Sequence, residues 1–357
     1  MKVLHVVGAR PNFMKAAPVV RALEESGHEQ VLVHTGQHYD ALMSDVFFTS
    51  LEIKAPDESL NVGSGSHAQQ TATIMMRLEP VVLQRQPDIV LVYGDVNSTV
   101  AAALVCAKLG IRLGHVEAGL RSFDRDMPEE INRLVTDQLS DMLFTPSADG
   151  NANLAREGIA EEKIHLVGNV MIDTLIRFLP RAEETFPQLK RDLSLGAFGL
   201  VTLHRPSNVD NEADFLPMLA VLNKLSSDLP LIFPVHPRTR QKWAEQLAHA
   251  NSNLRMIEPQ GYLQFLALQK HATLVITDSG GIQEETTFLG TPCFTLRENT
   301  ERPITITNGT NVLIGRDWEK LEQGFHDALN GKHKHGAQPP LWDGKASQRI
   351  AEILAAS

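Results

Sequence analysis

The sequence predicts an α/β protein of two Rossmann-like, doubly wound domains facing each other across a cleft. Three observations carry the prediction. Short runs rich in Val, Ile and Leu recur along the chain and are near-continuous, as strands covered on both faces must be. Helical patterns separate them, which is the rhythm of βαβ units and parallel sheets. Six such runs precede about Asn169 and six follow it.

In the first half the strand candidates are VLHVVG from Val3, EQVLVHTG from Glu29, DIVLVYGD from Asp88, RLGHVEAG from Arg112, MLFTPS from Met142 and IHLVGNV from Ile164. The second half offers GLVTLHR from Gly199, PLIFPVHP from Pro230, NLRMIEP from Asn253, TLVITDSG from Thr273, TPCFTLR from Thr291 and TNVLIG from Thr310. Among the helical segments, NSTVAAALVCAKLG follows Val96. PEEINRLVTDQLSDM opens with Pro128 and two acids in its first turn, a sound helix start. GKASQRIAEILAAS from Gly344 reads as a further amphipathic helix. The expected domains are 1–168 and 169–343.

Composition narrows the function classes. With 357 residues, two domains are the default at roughly 100–200 residues each. A formal net charge of -10 argues against a general nucleic-acid binder, yet a few placed Arg and Lys suffice for a small anion. Cys106 and Cys293 stand far apart, so neither a zinc site nor a disulfide framework is expected, and a reducing cytoplasm fits. The N-terminal apolar run is too short for a signal peptide, and no run approaches the ~18 apolar residues of a membrane span.

Ligands of open parallel sheets bind beyond the carboxyl ends of the strands. Here those ends carry ionisable groups: Arg10 and Lys15 after the first strand, Gln37 and His38 after the second, Asp95 after the third, Glu117 and Arg121 after the fourth. In the second half they carry His204, His236, Asp278 to Glu285, and Arg297 to Arg302. Taken singly, each has a plain structural reading. Asp95 is either a helix cap or a functional acid. His204 alone is more often structural, and Arg10 and Lys15 oppose the helix dipole unless an anion joins them. Glu117 is harder to set aside, because a carboxylate straight after a buried strand is costly unless paired or used. Together they point to a cleft active site.

The first loop, GARPN, lacks the glycine fingerprint of a dinucleotide site. In TDSGGIQEE, by contrast, Ser279, Gly280 and Gly281 form a turn opening a helix. Its backbone N–H groups could hold a phosphate, and Glu285 one turn on could accept from a ribose hydroxyl. An ordinary βα turn with a glycine pair is the alternative; Arg302 nearby tips the reading towards a nucleotide diphosphate.

GARPNFMKAAP, TGQH, GDVNST, GHVEAGLRS, PEEINR, TLHRPSN, PVHP, DSGGIQEE, LGTP, TERP and DGKASQRI occur in that order over essentially the whole chain. With these motifs the sequence resembles the non-hydrolysing UDP-N-acetylglucosamine 2-epimerases, a family with the glycosyltransferase B-type fold. The resemblance implies that Ser279, Gly280, Gly281 and Glu285 hold diphosphate and ribose, with Arg302 on the phosphates and Arg10 and Lys15 reaching across. It implies that Asp95, Glu117, Glu129 and His204 form the catalytic group, and that the helix from Gly344 to Ser357 completes the first domain. It also implies a UDP-sugar substrate, no cofactor and no metal, and a cytoplasmic homodimer that binds neither nucleic acid nor membrane. The implied reaction inverts carbon 2 by eliminating UDP to 2-acetamidoglucal and adding it back. The sequence departs from the commonest pattern at GARPN, where Asn12 replaces an acid, and around NVGSGSHAQQ, which lacks the glutamine of a regulatory site. A UDP-sugar glycosyltransferase, a hydrolysing epimerase and a non-catalytic sugar binder are the competing readings.

Overall fold

The structure is a computed structural model and describes residues 1–37, 52 and 55–357. The chain forms two compact units, one of residues 1–174 with 340–357, the other of residues 175–339.

Unit 1 is built on a parallel sheet of β1 (Lys2–Val7), β2 (Glu29–His34), β3 (Glu58–Ser59), β4 (Ile89–Tyr93), β5 (Arg112–Val116), β6 (Met142–Thr145) and β7 (Ile164–Leu166). Their order is β3-β2-β1-β4-β5-β6-β7. Six of these are the predicted runs. Strand β3 is a polar edge pair with no apolar run behind it; it is held by backbone pairing to Val33 and His34. The chain steps outward from β1 to β2 and β3, then returns to lay β4 on the other side of β1, in register from Val3 against Ile89 to Val6 against Val92. That reversal makes the β1/β4 boundary a topological switch point, where the two following loops diverge and leave a crevice.

Unit 2 repeats the plan with β8 (Gly199–Thr202), β9 (Leu231–Pro234), β10 (Leu254–Ile257), β11 (Leu274–Thr277), β12 (Cys293–Thr295) and β13 (Asn311–Leu313), ordered β10-β9-β8-β11-β12-β13. Its switch point lies between β8 and β11. The unit-2 core contains Phe215 stacked on Trp243 with ring centroids 4.4 Å apart, and the Trp243 indole N–H donates to Val209 O at 2.8 Å. Full burial of such side chains contributes about 1.5–3 kcal/mol each. Two doubly wound α/β units are thus observed. Among the described residues, no helix is long and apolar enough to cross a membrane.

Unit 1 is completed by the helix Ala346–Ala356, whose buried face of Ala346, Ile350, Ala351 and Leu354 packs on the helix Arg10–Glu25. Its start is capped from a different element. The Asp173 carboxylate accepts from Ala346 N–H (3.2 Å), Ser347 N–H (2.7 Å) and Ser347 O–H (2.7 Å). Nearby, the Trp342 indole N–H donates to Pro146 O at 3.0 Å. Removing this cap by Asp173→Ala is expected to lower unfolding stability by about 1–2 kcal/mol. A urea titration followed by circular dichroism measures it, and an unchanged midpoint would show that the cap is dispensable.

Candidate active site

The two loops at the unit-1 switch point are bound together by Asn12. Its carbonyl oxygen accepts from Gly8 N–H and Ala9 N–H, both at 3.1 Å, while its amide donates to Tyr93 O at 2.7 Å. An acid at position 12 would be unable to make the last bond unless protonated. Asn12 therefore takes up the amide groups of Gly8 and Ala9, just ahead of the helix Arg10–Glu25, and ties that turn to the end of β4. Arg10 begins that helix, but its side chain lies outside the described residues, as does His38.

Lys15, one turn and a half into the same helix, is buried and forms an ion pair with the buried Glu117. Glu117 is thus the anion that joins the cation near this helix start. Its backbone lies in the left-handed region at φ +75°, unusual for a residue with a Cβ, and its N–H donates to Phe144 O at 3.0 Å. Gly94 faces this pair: a Cβ there would sit 2.6 Å from Lys15 Nζ and 3.2 Å from Glu117 Oε2, and its φ of +63° also favours glycine.

Asp95 does not cap the following helix, Asn97–Leu109. The cap position is Val96, without a side-chain bond. The Asp95 carboxylate instead meets Arg133 Nη1 at 2.5 Å, and Asn132 donates to Asp95 O at 2.8 Å. Arg133 also binds Glu130 Oε2 at 2.6 Å. Burial pushes the Glu130 carboxyl up, but the Ser122 N–H, the Arg133 guanidinium and the Phe123 N–H outweigh it and hold it below the usual range. Asp95 and Glu129 line one cavity of about 310 Å³, together with His67, Gln70, Asn97 and Asn132. Glu117, paired behind Gly94, does not line it.

At the unit-2 switch point, Asp278 is the organiser. Fully buried after β11, it accepts from His204 N–H, Arg205 N–H (2.9 Å) and Asn208 Nδ2 (3.0 Å), and meets His204 Nδ1 at 3.0 Å. Burial raises its pKa, yet the His204 side chain, Asn208 and the Arg205 N–H hold it below the usual carboxylate range. The His204 ring, 57% exposed, is thereby anchored at one nitrogen.

The helix Gly280–Leu289 starts beside it, with Ser279 at the cap position and no side-chain cap bond. The first N–H groups of a helix have no partner within it, so this start is a ready anion site. A Cβ at Gly280 would lie 2.5 Å from Arg302 Nη1, so glycine is what lets the guanidinium approach the turn. Arg302 is held there by Glu301 Oε1 (2.5 Å) and Glu284 Oε2 (3.0 Å). One turn into the helix, Glu285 is 3% exposed and accepts from Gln269 Nε2 (2.6 Å) and Tyr262 O–H (3.2 Å). Burial dominates and raises its pKa to about 7, against those two donors.

Within unit 1 the structure joins Asp95 to Glu129 across one cavity and Lys15 to Glu117. Within unit 2 it gathers Ser279, Gly280, Gly281 and Arg302 at one helix start, with Glu285 a turn on and His204 on the Asp278 loop. Sequence reasoning missed Glu130, Asn132, Arg133 and the anchoring role of Asp278. The helical pattern from Pro128 carried a signal, polar residues recurring at positions 130, 133 and 137. Nothing in it distinguished a buried polar face from a solvated one. Among the described residues, no three His, Cys, Asp or Glu side chains converge so as to hold a metal ion.

Comparison with known proteins follows the same lines. Residues 21–355 match the sequence model of a family described as UDP-N-acetylglucosamine 2-epimerase. A Methanocaldococcus jannaschii protein named UDP-N-acetylglucosamine 2-epimerase is 42% identical over 366 residues, covering 99% of both chains. A Pseudomonas aeruginosa protein named UDP-2,3-diacetamido-2,3-dideoxy-D-glucuronate 2-epimerase is 42% identical over 359 residues, again covering 99% of both. The crystal structure of the M. jannaschii UDP-GlcNAc 2-epimerase in complex with UDP-GlcNAc and UDP superimposes with a TM-score of 0.92 at 42% identity, over 100% of each chain.

The raised Glu285 carboxyl has a thermodynamic consequence. The folded chain holds this proton up to about pH 7, whereas an unfolded chain releases it near the ordinary value of 4.5. The folded state therefore binds more protons in that window, and this group's contribution to stability falls as pH rises through it, by up to about 3 kcal/mol. Glu285→Gln cannot titrate. Its stability relative to the parent chain should rise between pH 5 and pH 8, as read from urea midpoints at the two values. A difference that does not change with pH would refute the burial argument.

Proposed function

The chain belongs to the UDP-N-acetylglucosamine 2-epimerase family, and from that premise we propose that it interconverts UDP-N-acetylglucosamine and UDP-N-acetylmannosamine by elimination and re-addition of UDP. It is an isomerase of nucleotide sugars. The observation that carries the mechanistic part of the proposal is the pair of acids, Asp95 and Glu129, on one cavity of about 310 Å³.

Carbon 2 bears a hydrogen of very low acidity, with no carbonyl attached to it. In the proposed step a carboxylate takes that hydrogen as a proton. The C2–H electrons become the C1=C2 double bond, and the C1–O bond breaks with its electrons leaving on UDP. The products are UDP and 2-acetamidoglucal. Return of UDP to carbon 1, with protonation of carbon 2 from the opposite face, gives the epimer. Asp95, Glu117 and Glu129 are the proposed proton carriers, each such transfer typically contributing about 10²–10⁴ in rate. Leaving-group stabilisation falls to the Gly280–Gly281 helix start and Arg302, where donors aimed at developing phosphate charge act without reorganisation. Glu285 suits a ribose hydroxyl and His204 the phosphate or the sugar.

A second substrate reading has its own support. The Pseudomonas relative named for a 2,3-diacetamido uronate is as similar as the one named for the N-acetyl sugar. We also infer a cytoplasmic homodimer. The helix Pro128–Leu139 buries Glu130, Arg133 and Asp137, while Ile131 (41% exposed), Leu134, Val135 and Leu139 line a surface cavity of about 530 Å³ with Arg125, Gln138 and Glu157 at its edge. An outward apolar face of this kind marks an interaction surface.

Incubation with UDP-N-acetylglucosamine in D₂O, followed by proton NMR, tests the reaction. UDP-N-acetylmannosamine with deuterium at carbon 2 is the expected product. Free N-acetylmannosamine plus UDP would replace the proposal with hydrolysis, and turnover of the diacetamido uronate alone would replace the substrate. Asp95→Asn should lower kcat by about 10²–10⁴ while UDP binding by calorimetry persists. For the oligomer, light scattering should give a dimer mass for the parent chain and a monomer mass for Ile131→Asp; a parent monomer would dismiss the dimer.

A further inference from the structure

We propose that Asp137 is a positioning residue that holds the Asp95 loop and the Glu117 loop in fixed relation, one carboxylate oxygen serving each. The inference rests on the epimerase reading above, because it concerns how that reaction's acids are aimed.

Asp137 lies on the inward face of the helix Pro128–Leu139 and is fully buried. Its Oδ1 is 2.6 Å from His115 Nδ1, and His115 Nε2 is 2.8 Å from Gly94 O, the residue before Asp95. Its Oδ2 accepts from Gly119 N–H at 3.1 Å, two residues after Glu117, and from Arg121 Nη2 at 2.7 Å. Arg121 is fixed in turn by two bonds to Glu157, at 2.8 and 2.6 Å. Two arms therefore leave one carboxylate. The first runs through His115 to the carbonyl that precedes Asp95, and the second runs straight to the turn that follows Glu117.

The donor count gives the arrangement its rigidity. A backbone carbonyl only accepts, so His115 Nε2 carries a hydrogen towards Gly94. Asp137 Oδ1 then receives the proton lying between it and His115 Nδ1. Burial opposes ionisation of Asp137, but His115 and Arg121 outweigh it and keep the carboxyl below the usual range. Three N–H donors thus converge on two anionic oxygens. Asparagine is uncharged and has one acceptor oxygen, and its NH₂ meets His115 only if Nδ1 gives up its hydrogen, so Asp137→Asn replaces the charge-assisted clamp by a weaker neutral one without changing side-chain size. A displacement of about 1 Å at a catalytic group costs on the order of 100-fold in rate.

The test compares the parent chain, Asp137→Asn and His115→Gln on UDP-N-acetylglucosamine in D₂O. Three quantities are read: epimer formed, deuterium at carbon 2 of recovered substrate, and UDP affinity by calorimetry. For Asp137→Asn, kcat should fall about 100-fold with KM and UDP affinity within threefold. The ratio of deuterium in recovered substrate to epimer should rise, because misaligned acids return the proton to the face it left. A merely structural role would lower turnover and UDP affinity together and leave that ratio unchanged, and this result would overturn the proposal. So would a kcat within twofold of the parent chain. Should Asp137→Asn fail to fold, His115→Gln opens the Gly94 arm alone and must move the ratio in the same direction. A parent chain silent on every UDP-sugar tried would sink the epimerase reading, and this proposal with it; an active parent with a normal variant sinks only the proposal.

Discussion

Charge buried without water has to be paired, and the architecture of unit 1 follows from that constraint. Lys15 with Glu117, Arg133 with Asp95 and Glu130, and Asp137 with His115 and Arg121 take ions into the interior beside the β1/β4 crevice. Desolvation costs several kcal/mol per ion, and breaking one buried pair typically costs about 3–5 kcal/mol. The helix Pro128–Leu139 accordingly faces inward with Glu130, Asn132, Arg133 and Asp137, and leaves Ile131 exposed. The left-handed backbone of Glu117 belongs to the same scheme: such strain costs about 1–3 kcal/mol, and a paired carboxylate beside a glycine helps fix it.

The two units share a winding order but not a use for it. Each has a strand, a turn and a helix at its switch point. In unit 1 the Asn12 side chain takes the Gly8 and Ala9 amides and ties the turn to Tyr93, and acids line the cavity nearby. In unit 2 the corresponding start is open, and an arginine is drawn onto it by Glu284 and Glu301. A helix N-terminus repels cations and attracts anions, which is why the arginine at this start needs two carboxylates to hold it.

Most of the fold was legible because buried parallel strands have a compositional mark, and every apolar run named from the sequence is a strand. Glu58–Ser59 has no such mark, since an edge pair needs only backbone groups. The positions of Asp95, Glu117, His204 and the Ser279 turn were legible for a topological reason: the carboxyl ends of strands converge at switch points. Their partners were not. Arg133 is far from Asp95 in sequence, and Asp278 meets the His204 loop only because β8 and β11 are neighbours. Asp95 shows the limit well. Two residues before the helix Asn97–Leu109 its sequence context resembles that of a cap, and the carboxylate goes elsewhere because a buried arginine is in reach.

Unit 1 is discontinuous, and that bears on how the chain is made. Its helix Ala346–Ala356 and the Trp342 contact come from residues that follow all of unit 2. Emerging from the ribosome at about 5–20 residues per second, the first 174 residues wait while 165 more are synthesised before the helix Arg10–Glu25 can be covered. Unit 2, contiguous in sequence, can close as soon as it is translated. Nascent unit 1 is left with an apolar flank bare for that interval, a stretch of seconds in which the exposed surface is open to misassembly.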